Sequence, residues 1–484
     1  MSGRFKNFGL ISLGVIAGVL ATMQFSAIAQ KSAQSTLPLE ELRQLSDVFG
    51  LIKSDYVEPV EDKKLISEAI SGMVASLDPH SAYLDKKSFK ELRESTQGKF
   101  VGLGIEVGME DGFVKVVSPI EGSPAYRAGL QPNDLITKLD DTPVKGMTLD
   151  EAVKRMRGEP NTKITILVFR KAENRSFPVT IIREEIKVQS VKAKIIEPGY
   201  GWLRISQFQD PTVEDMARKI EELYKQDPNL KGLVLDLRND PGGVLPGAIG
   251  VSAAFLPKDV VVVSTNGQLP DSKSAFLAKP EFYARRNNED PIKRLPAAIK
   301  TVPLIVLVNT GSASASEIVA GALQDHKRAT ILGTQTFGKG SVQTIRPLPP
   351  NNDTAVKLTT ARYYTPSGKS IQAKGITPDL IVEETAEGDG FNALRVREAD
   401  LDKHLSNKDG EEQKDPAREA ARKKLEEELA AKKDAPKLLE FGSKEDYQLL
   451  QALNSLKGLP VKVSPPKTET AKVDNIENKP AAKK

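Results

Sequence analysis

Over residues 37–95 apolar side chains recur at helical spacing: Leu39, Leu42, Leu45, Val48, Phe49 and Ile52, then Leu65, Ala69, Ile70, Met73 and Leu77. This predicts two or three amphipathic helices. Asp78-Pro79 ends the second, because the residue before a proline avoids the helical region. Such apolar sides suit packing within the chain or pairing between subunits. From 97 to 170 the period shortens. Runs of β-formers at 101–107, 114–117, 135–139 and 164–169 surround one helix at 149–157, which predicts a small β-rich domain. From 188 to 381 strands alternate with helices. Residues 231–237 read as a buried strand followed by Pro241-Gly242-Gly243 and a helix-compatible run to 256; 301–308 and 317–324 repeat the strand and helix order. That order implies an α/β core with a sheet covered by helices. After 384 charge takes over, with a Lys/Glu/Ala-rich helix at 416–433 that reads as a solvated face. A second helix at 446–456 carries Leu449, Leu450, Leu453 and Leu456 on one side, and a Pro/Lys tail of disordered composition starts at 464.

The first 29 residues form a different pattern. Arg4 and Lys6 precede an apolar, uncharged run at 8–23, and Ala27-Ile28-Ala29 offers the small residues of a cleavage site. This is the pattern of a signal peptide. At 16 residues the run is shorter than the roughly 20 of a membrane span, which favours cleavage after Ala29 over a retained anchor. Export to the bacterial periplasm, or to the outer face of the inner membrane, is the expectation.

A length of 484 residues predicts more than one folded unit. The net charge of +4 comes from the two ends, since 1–29 and 464–484 each contribute +2 and the residues between are neutral overall. The core therefore lacks the basic balance of a nucleic-acid binder. Cysteine is absent, which removes disulfides, thiolate catalysis and cysteine zinc sites. His80, His326 and His404 show no metal-ligand spacing, and no cofactor is expected.

Two glycine-rich segments in the α/β region carry candidate chemistry. Gly311-Ser312-Ala313-Ser314-Ala315-Ser316-Glu317 joins a buried strand to a helix, where small side chains let a nucleophile stand clear at a helix N-terminus. The segment 333–339 has phosphate-loop spacing, but Gly340 occupies the magnesium-binding position and 341–346 alternates like a strand. A nucleotide site is not expected there.

Several stretches together closely resemble the carboxyl-terminal processing (tail-specific) proteases. They are Ser76-Leu77-Asp78-Pro79-His80-Ser81, Gly102-Leu103-Gly104-Ile105 with the segment 123–134, Asp236-Leu237-Arg238-Asn239-Asp240-Pro241-Gly242-Gly243, Tyr363-Tyr364-Thr365-Pro366-Ser367-Gly368 and Gly375-Ile376-Thr377-Pro378-Asp379. The resemblance spans 37–384 and implies a multidomain α+β chain. Its parts would be a signal peptide (1–29), a helical N-terminal region (37–95), a PDZ domain (97–185), a crotonase- or ClpP-like α/β protease core (186–384), a helical C-terminal region (385–463) and a disordered tail (464–484).

By this resemblance Ser314 is the nucleophile, because the family separates it by 25 residues from the general base, here Lys339. Ser312 and Ser316 are then structural. A lysine base must be neutral, so burial must lower its pKa. Gln343, four residues on, is assigned the orienting of that amine, and an even spacing puts both side chains on one strand face. The backbone N–H groups of Gly243 and Ala315 form the oxyanion hole. In the PDZ domain, Gly102 and Gly104 let the loop backbone face a peptide's C-terminal carboxylate, and Leu103, Ile105, Val153 and Met156 line the pocket for its last side chain. Arg157 resembles a position linking PDZ domain and protease site. Glu317 and Asp325 read as structural. The expected partners are proteins or peptides with free C-termini, with an adaptor or lipoprotein and a homo-oligomer left open, and no nucleic acid. Asn133 stands where the family often has glycine, a position asparagine tolerates. A Ser-His-Asp protease fits neither His80 nor His326 in chain order; a PDZ scaffold on an inactive protease fold is the non-enzymatic alternative.

Overall fold

A computed structural model describes residues 38–284, 289–386, 388, 395–407 and 440–463. The expected signal peptide, the helix at 416–433 and the tail from 464 lie outside the described residues. The chain divides into two compact units, Met1–Gly72 and Met73–Lys484. In the first, α1 (Leu39–Asp55) has no buried residue and leaves Leu39, Leu42, Leu45 and Val48 exposed. Lys53 bonds the Val60 carbonyl and Asp62, each at 2.7 Å, and so ties the end of α1 to the start of α2 (Asp62–Ala75).

The larger unit opens with β1 (Ala82–Leu84) and α3 (Lys86–Gln97), which Asp85 caps by accepting the Ser88 N–H at 2.7 Å. The apolar run at 101–107 is two strands rather than one. β2 (Lys99–Gly102) pairs with β9 (Glu184–Lys187), whereas β3 (Ile105–Glu110) pairs with β4 (Phe113–Pro119). Between them Gly104 turns the chain at φ +77°, and a Cβ there would lie 2.2 Å from that of Ser123. The PDZ-like sheet runs in the order β3, β4, β5 (Leu135–Leu139), β7 (Lys163–Arg170), β8 (Arg175–Ile182), with β6 (Thr142–Pro143) beside β5. Strand β3 is one of its two edges, β8 the other. A short α4 (Pro124–Arg127) and α5 (Leu149–Met156) complete the domain. Asn133 adopts φ +71°, the left-handed geometry its side chain tolerates.

The central sheet is β10 (Val191–Glu197), β11 (Tyr200–Ile205), β12 (Gly232–Asp236), β15 (Leu304–Val308), β16 (Thr330–Gly333) and β19 (Leu380–Ile381), parallel from β11 onward. Both faces are covered, which is why β12 and β15 read as unbroken apolar runs. Leu233, Leu235, Leu304 and Val306 enter a core shared with α6 (Thr212–Gln226), α7 (Leu245–Phe255) and α8 (Ala315–Asp325). Alternate residues Val234, Ile305 and Leu307 point the other way and pack on Leu449, Ala452 and Leu453 of α9 (Tyr447–Leu456). The C-terminal helix is thus the second cover of the sheet. Leu450, expected on its apolar side, is exposed.

A second, antiparallel sheet orders β1, β18 (Thr354–Tyr364), β13 (Val261–Gly267) and β14 (Ser274–Leu277), with β17 (Ser341–Leu348) also paired to β18.

Candidate active site

Strands β12, β15 and β16 are parallel neighbours, so the loops leaving their carboxyl ends emerge side by side, where α/β folds place their sites. These loops are 237–244, 309–314 and 334–340. Hydrogen bonds lace them together: Ala313 N–H and Ser316 Oγ both donate to the Asp240 carbonyl (3.0 and 2.9 Å), and Ser312 Oγ donates to the Leu237 carbonyl (2.8 Å). Phe337 N–H donates to the Ser312 carbonyl at 3.0 Å. Two of the three serines are thereby committed to main-chain acceptors.

Ser314 differs from both. It caps α8 with φ +54° and ψ −110°, a backbone region normally left to glycine, and is 8% exposed. Among the described residues its hydroxyl bonds neither of the neighbouring loops, unlike those of Ser312 and Ser316. Its backbone N–H donates to Glu317 Oε2 at 2.7 Å, and Lys339 N–H donates to the same oxygen at 2.9 Å. The other oxygen accepts Thr336 Oγ1 (2.6 Å) and Gly338 N–H (2.7 Å). Burial pushes the pKa of Glu317 up to about 7 even though these four donors favour the carboxylate. One buried side chain therefore fixes the serine turn and the lysine loop together.

Lys339 is largely enclosed, and burial lowers its pKa below the usual lysine value, with Lys357 adding to the effect. Glu398, Glu317 and Asp78 act in the opposite sense from a distance, and none forms a side-chain hydrogen bond to it.

Gln343 does not meet that amine. Its Nε2 donates to Ser341 Oγ (2.9 Å) and Thr359 Oγ1 (3.1 Å). The even-spacing argument does not apply because β17 starts only at Ser341, which leaves Lys339 in the loop before it. Thr359 in turn donates to Asp78 Oδ1 at 3.0 Å, so the 76–81 motif buttresses Gln343 through β18.

Gly242 and Gly243 lie against the start of α8. An added Cβ on Gly242 would sit 2.8 Å from both Ser314 Cβ and Ala315 N, and one on Gly243 (φ +147°) only 1.9 Å from the Phe208 carbonyl oxygen. Phe208 holds the pair by accepting Val244 N–H and donating to the Gly242 carbonyl, both at 2.9 Å. Ala315, as the first residue of α8, has no intrahelical acceptor for its N–H. Neighbouring Asp240 accepts Gly242 N–H at 2.8 Å, and burial raises its pKa.

In the PDZ-like domain Leu103 and Met156 are core residues, while Ile105 and Val153 are half-buried beside them. Arg157 reaches Glu94 of α3 (3.2 Å) and lies 5.3 Å from the Phe100 ring centroid; among the described residues it makes no hydrogen bond or ion pair to the protease loops. The histidines are engaged elsewhere: His326 Nε2 is 2.7 Å from the Val261 carbonyl, and His80 Nε2 is 2.7 Å from Glu398 Oε2.

Two residues of this environment escaped sequence reasoning. Glu398 and Asp446 lie in the charged C-terminal part, in no motif, and only the fold shows that both are buried. Asp325 and Asp379 are structural, accepting Ser367 N–H and Ile331 N–H at 2.8 Å each.

A hydroxyl on a tight turn at a helix start, beside glycine-rich backbone at the ends of parallel strands, is the arrangement a serine hydrolase needs. Comparisons narrow the class. Peptidase family S41 matches residues 199–382, the activating protease CtpB N-terminal domain matches 14–88, and a PDZ domain matches 115–170. A carboxy-terminal-processing protease of Bartonella bacilliformis is 45% identical over 81% of this chain and 87% of its own. A probable CtpA-like serine protease of Staphylococcus aureus is 37% identical over 77% and 71%. A solved photosystem II D1 C-terminal processing protease is 30% identical over 69% of this chain and 86% of its own, with a TM-score of 0.39. The chain belongs to the carboxyl-terminal processing proteases of family S41 and is a serine-type peptidase with a PDZ domain.

Proposed function

We propose that this peptidase acts in the periplasm and cleaves proteins at or near their C-termini through a dyad of Ser314 and Lys339. The observation that carries the dyad is the shared Glu317 oxygen, which gathers the backbone of the one serine whose hydroxyl bonds neither neighbouring loop and of a half-buried lysine that forms no ion pair among the described residues. Neutral Lys339 takes the Ser314 proton as Oγ attacks the peptide carbonyl, and Gly243 and Ala315 N–H groups receive the oxyanion. The amine then returns its proton to the leaving nitrogen, and water attacks the acyl-serine to release the new C-terminus. Gln343 joins this reading as an orienting residue that must exchange its present partners for the amine.

Substrate docking is assigned to the edge of β3 and the loop at Gly104, with the free carboxylate on the loop N–H groups. Arg157 is the proposed relay for a gate. In support, α3, which it touches, carries Ser95 and Thr96 in its last turn, and these bond Gln207, Gln209 and Asp210 on either side of Phe208. The exposed apolar side of α1 favours self-association, and an adaptor is compatible with it.

Ser314→Ala and Lys339→Ala are each expected to abolish peptide cleavage while retaining a native melting transition. Turnover by either folded variant refutes the dyad. Amidating a substrate's C-terminus is expected to slow cleavage in the wild type, and equal rates would remove the gate.

A further inference from the structure

Beside the lysine loop a half-buried histidine meets a buried carboxylate, a pair that the proposed reaction leaves without a task. His80 Nε2 and Glu398 Oε2 are 2.7 Å apart, with side-chain exposures of 16% and 1%. Glu398 also grips the loop at two points: its own N–H donates to the Phe337 carbonyl (3.1 Å), and its Oε1 accepts Gln372 Nε2 (2.8 Å), whose Oε1 accepts Gly340 N–H (3.1 Å). Those contacts bracket Lys339. Holding the loop needs only a neutral polar group, yet the group is a carboxylate, which favours a charged amine.

We infer that His80 is a positioning residue for Lys339, acting through Glu398: the imidazole offsets the charge of a carboxylate whose hydrogen bonds hold the loop. This rests on the Ser–Lys reading. The surroundings are consistent with such an offset. Lys357 on β18 disfavours a charged Lys339, while Glu317 on α8, Asp78 before β1 and Glu398 favour it. The other two carboxylates are already offset by donors. Glu317 takes four, and Asp78 takes His80 N–H, Ser81 N–H and Oγ, and Thr359 Oγ1. For Asp78, burial opposes the charge, but these bonds prevail and hold its pKa below the usual range. Glu398 has His80 and Gln372 for the same purpose.

The test is the acid limb of kcat/KM against pH on a peptide substrate, for the full-length wild type, His80→Gln, Glu398→Gln and Lys339→Ala. Losing the imidazole should move the limb to higher pH, and losing the carboxylate charge should move it lower, each by about half a pH unit or more. Loss of packing alone would reduce the plateau in both variants without opposite displacements. Limbs that stay fixed, or move the same way, overturn the inference. Lys339→Ala separates the two ideas: if it is active, the dyad itself is wrong; if it is inactive and the limbs are unmoved, only the role of His80 falls. Melting curves identify folded variants, and His80→Ala replaces the glutamine variant should that one not fold.

Discussion

Arg238 grips Asp446 with a two-pronged hydrogen bond, Nη1 to Oδ1 at 2.8 Å and Nη2 to Oδ2 at 2.6 Å, across 208 residues of sequence. The guanidinium is fully buried and also bonds Asp236 through Nε (2.9 Å) and Nη2 (2.6 Å), while Phe441 lies 4.4 Å from it, ring centroid to Cζ. The glycine loop that faces Ser314 begins where β12 ends, at Asp236, so the C-terminal segment anchors the base of that loop. Asp446→Ala leaves a buried cation with one counter-ion fewer. It should destabilise the protein by about 3 kcal/mol in urea unfolding, and a change under about 1 kcal/mol would contradict the anchoring role.

Glu317→Gln tests the link between serine and lysine. Both carboxylate oxygens are saturated by four donors, so an amide must oppose at least one N–H or O–H with its own NH₂. A loss of about 2 kcal/mol of stability is expected, with kcat falling far more than KM rises. The pH dependence has a definite sign. Burial raises the pKa from 4.5 unfolded to about 7, so this group's stabilising contribution is complete below 4.5 and is lost as pH rises through about 7. Thermal melts of the variant should lack that decline.

Gly242→Ala separates backbone geometry from side-chain chemistry. The new methyl would approach Ala313 O at 2.6 Å and Ser314 Cβ and Ala315 N at 2.8 Å, at a φ of +93° that strains any L-residue. Cleavage should fall by at least about 100-fold, the scale of losing one oxyanion donor. Activity near wild type would mean that this loop does not face the reaction.

The sequence made the sheet legible because Leu233, Val234 and Leu235 are buried on both faces, a local pattern. It also marked Ser314, since glycine and serine around a strand end are local too. What it hid were relations across the chain. Asp446 and Glu398 sit among dozens of charged residues, and only burial against Arg238 and His80 distinguishes them. The even spacing of Lys339 and Gln343 misled because Lys339 precedes β17, which starts at Ser341, and the run through Leu103 misled because Gly104 turns left-handed within it.

Lys339→Met sets activity against stability. Burial lowers the lysine's folded pKa below 10.5, so between that lowered value and 10.5 the unfolded chain binds the proton more tightly than the folded one. Stability from this group is therefore full above 10.5 and is lost as pH falls through the folded value. Methionine keeps an unbranched chain of similar length and has nothing to desolvate. The variant should be inactive and melt higher than wild type at neutral pH, with the gap closing as pH approaches 10.5. A variant that melts lower at neutral pH would show that the ammonium is well solvated or paired, and a residue so placed is a poor proton acceptor for Ser314.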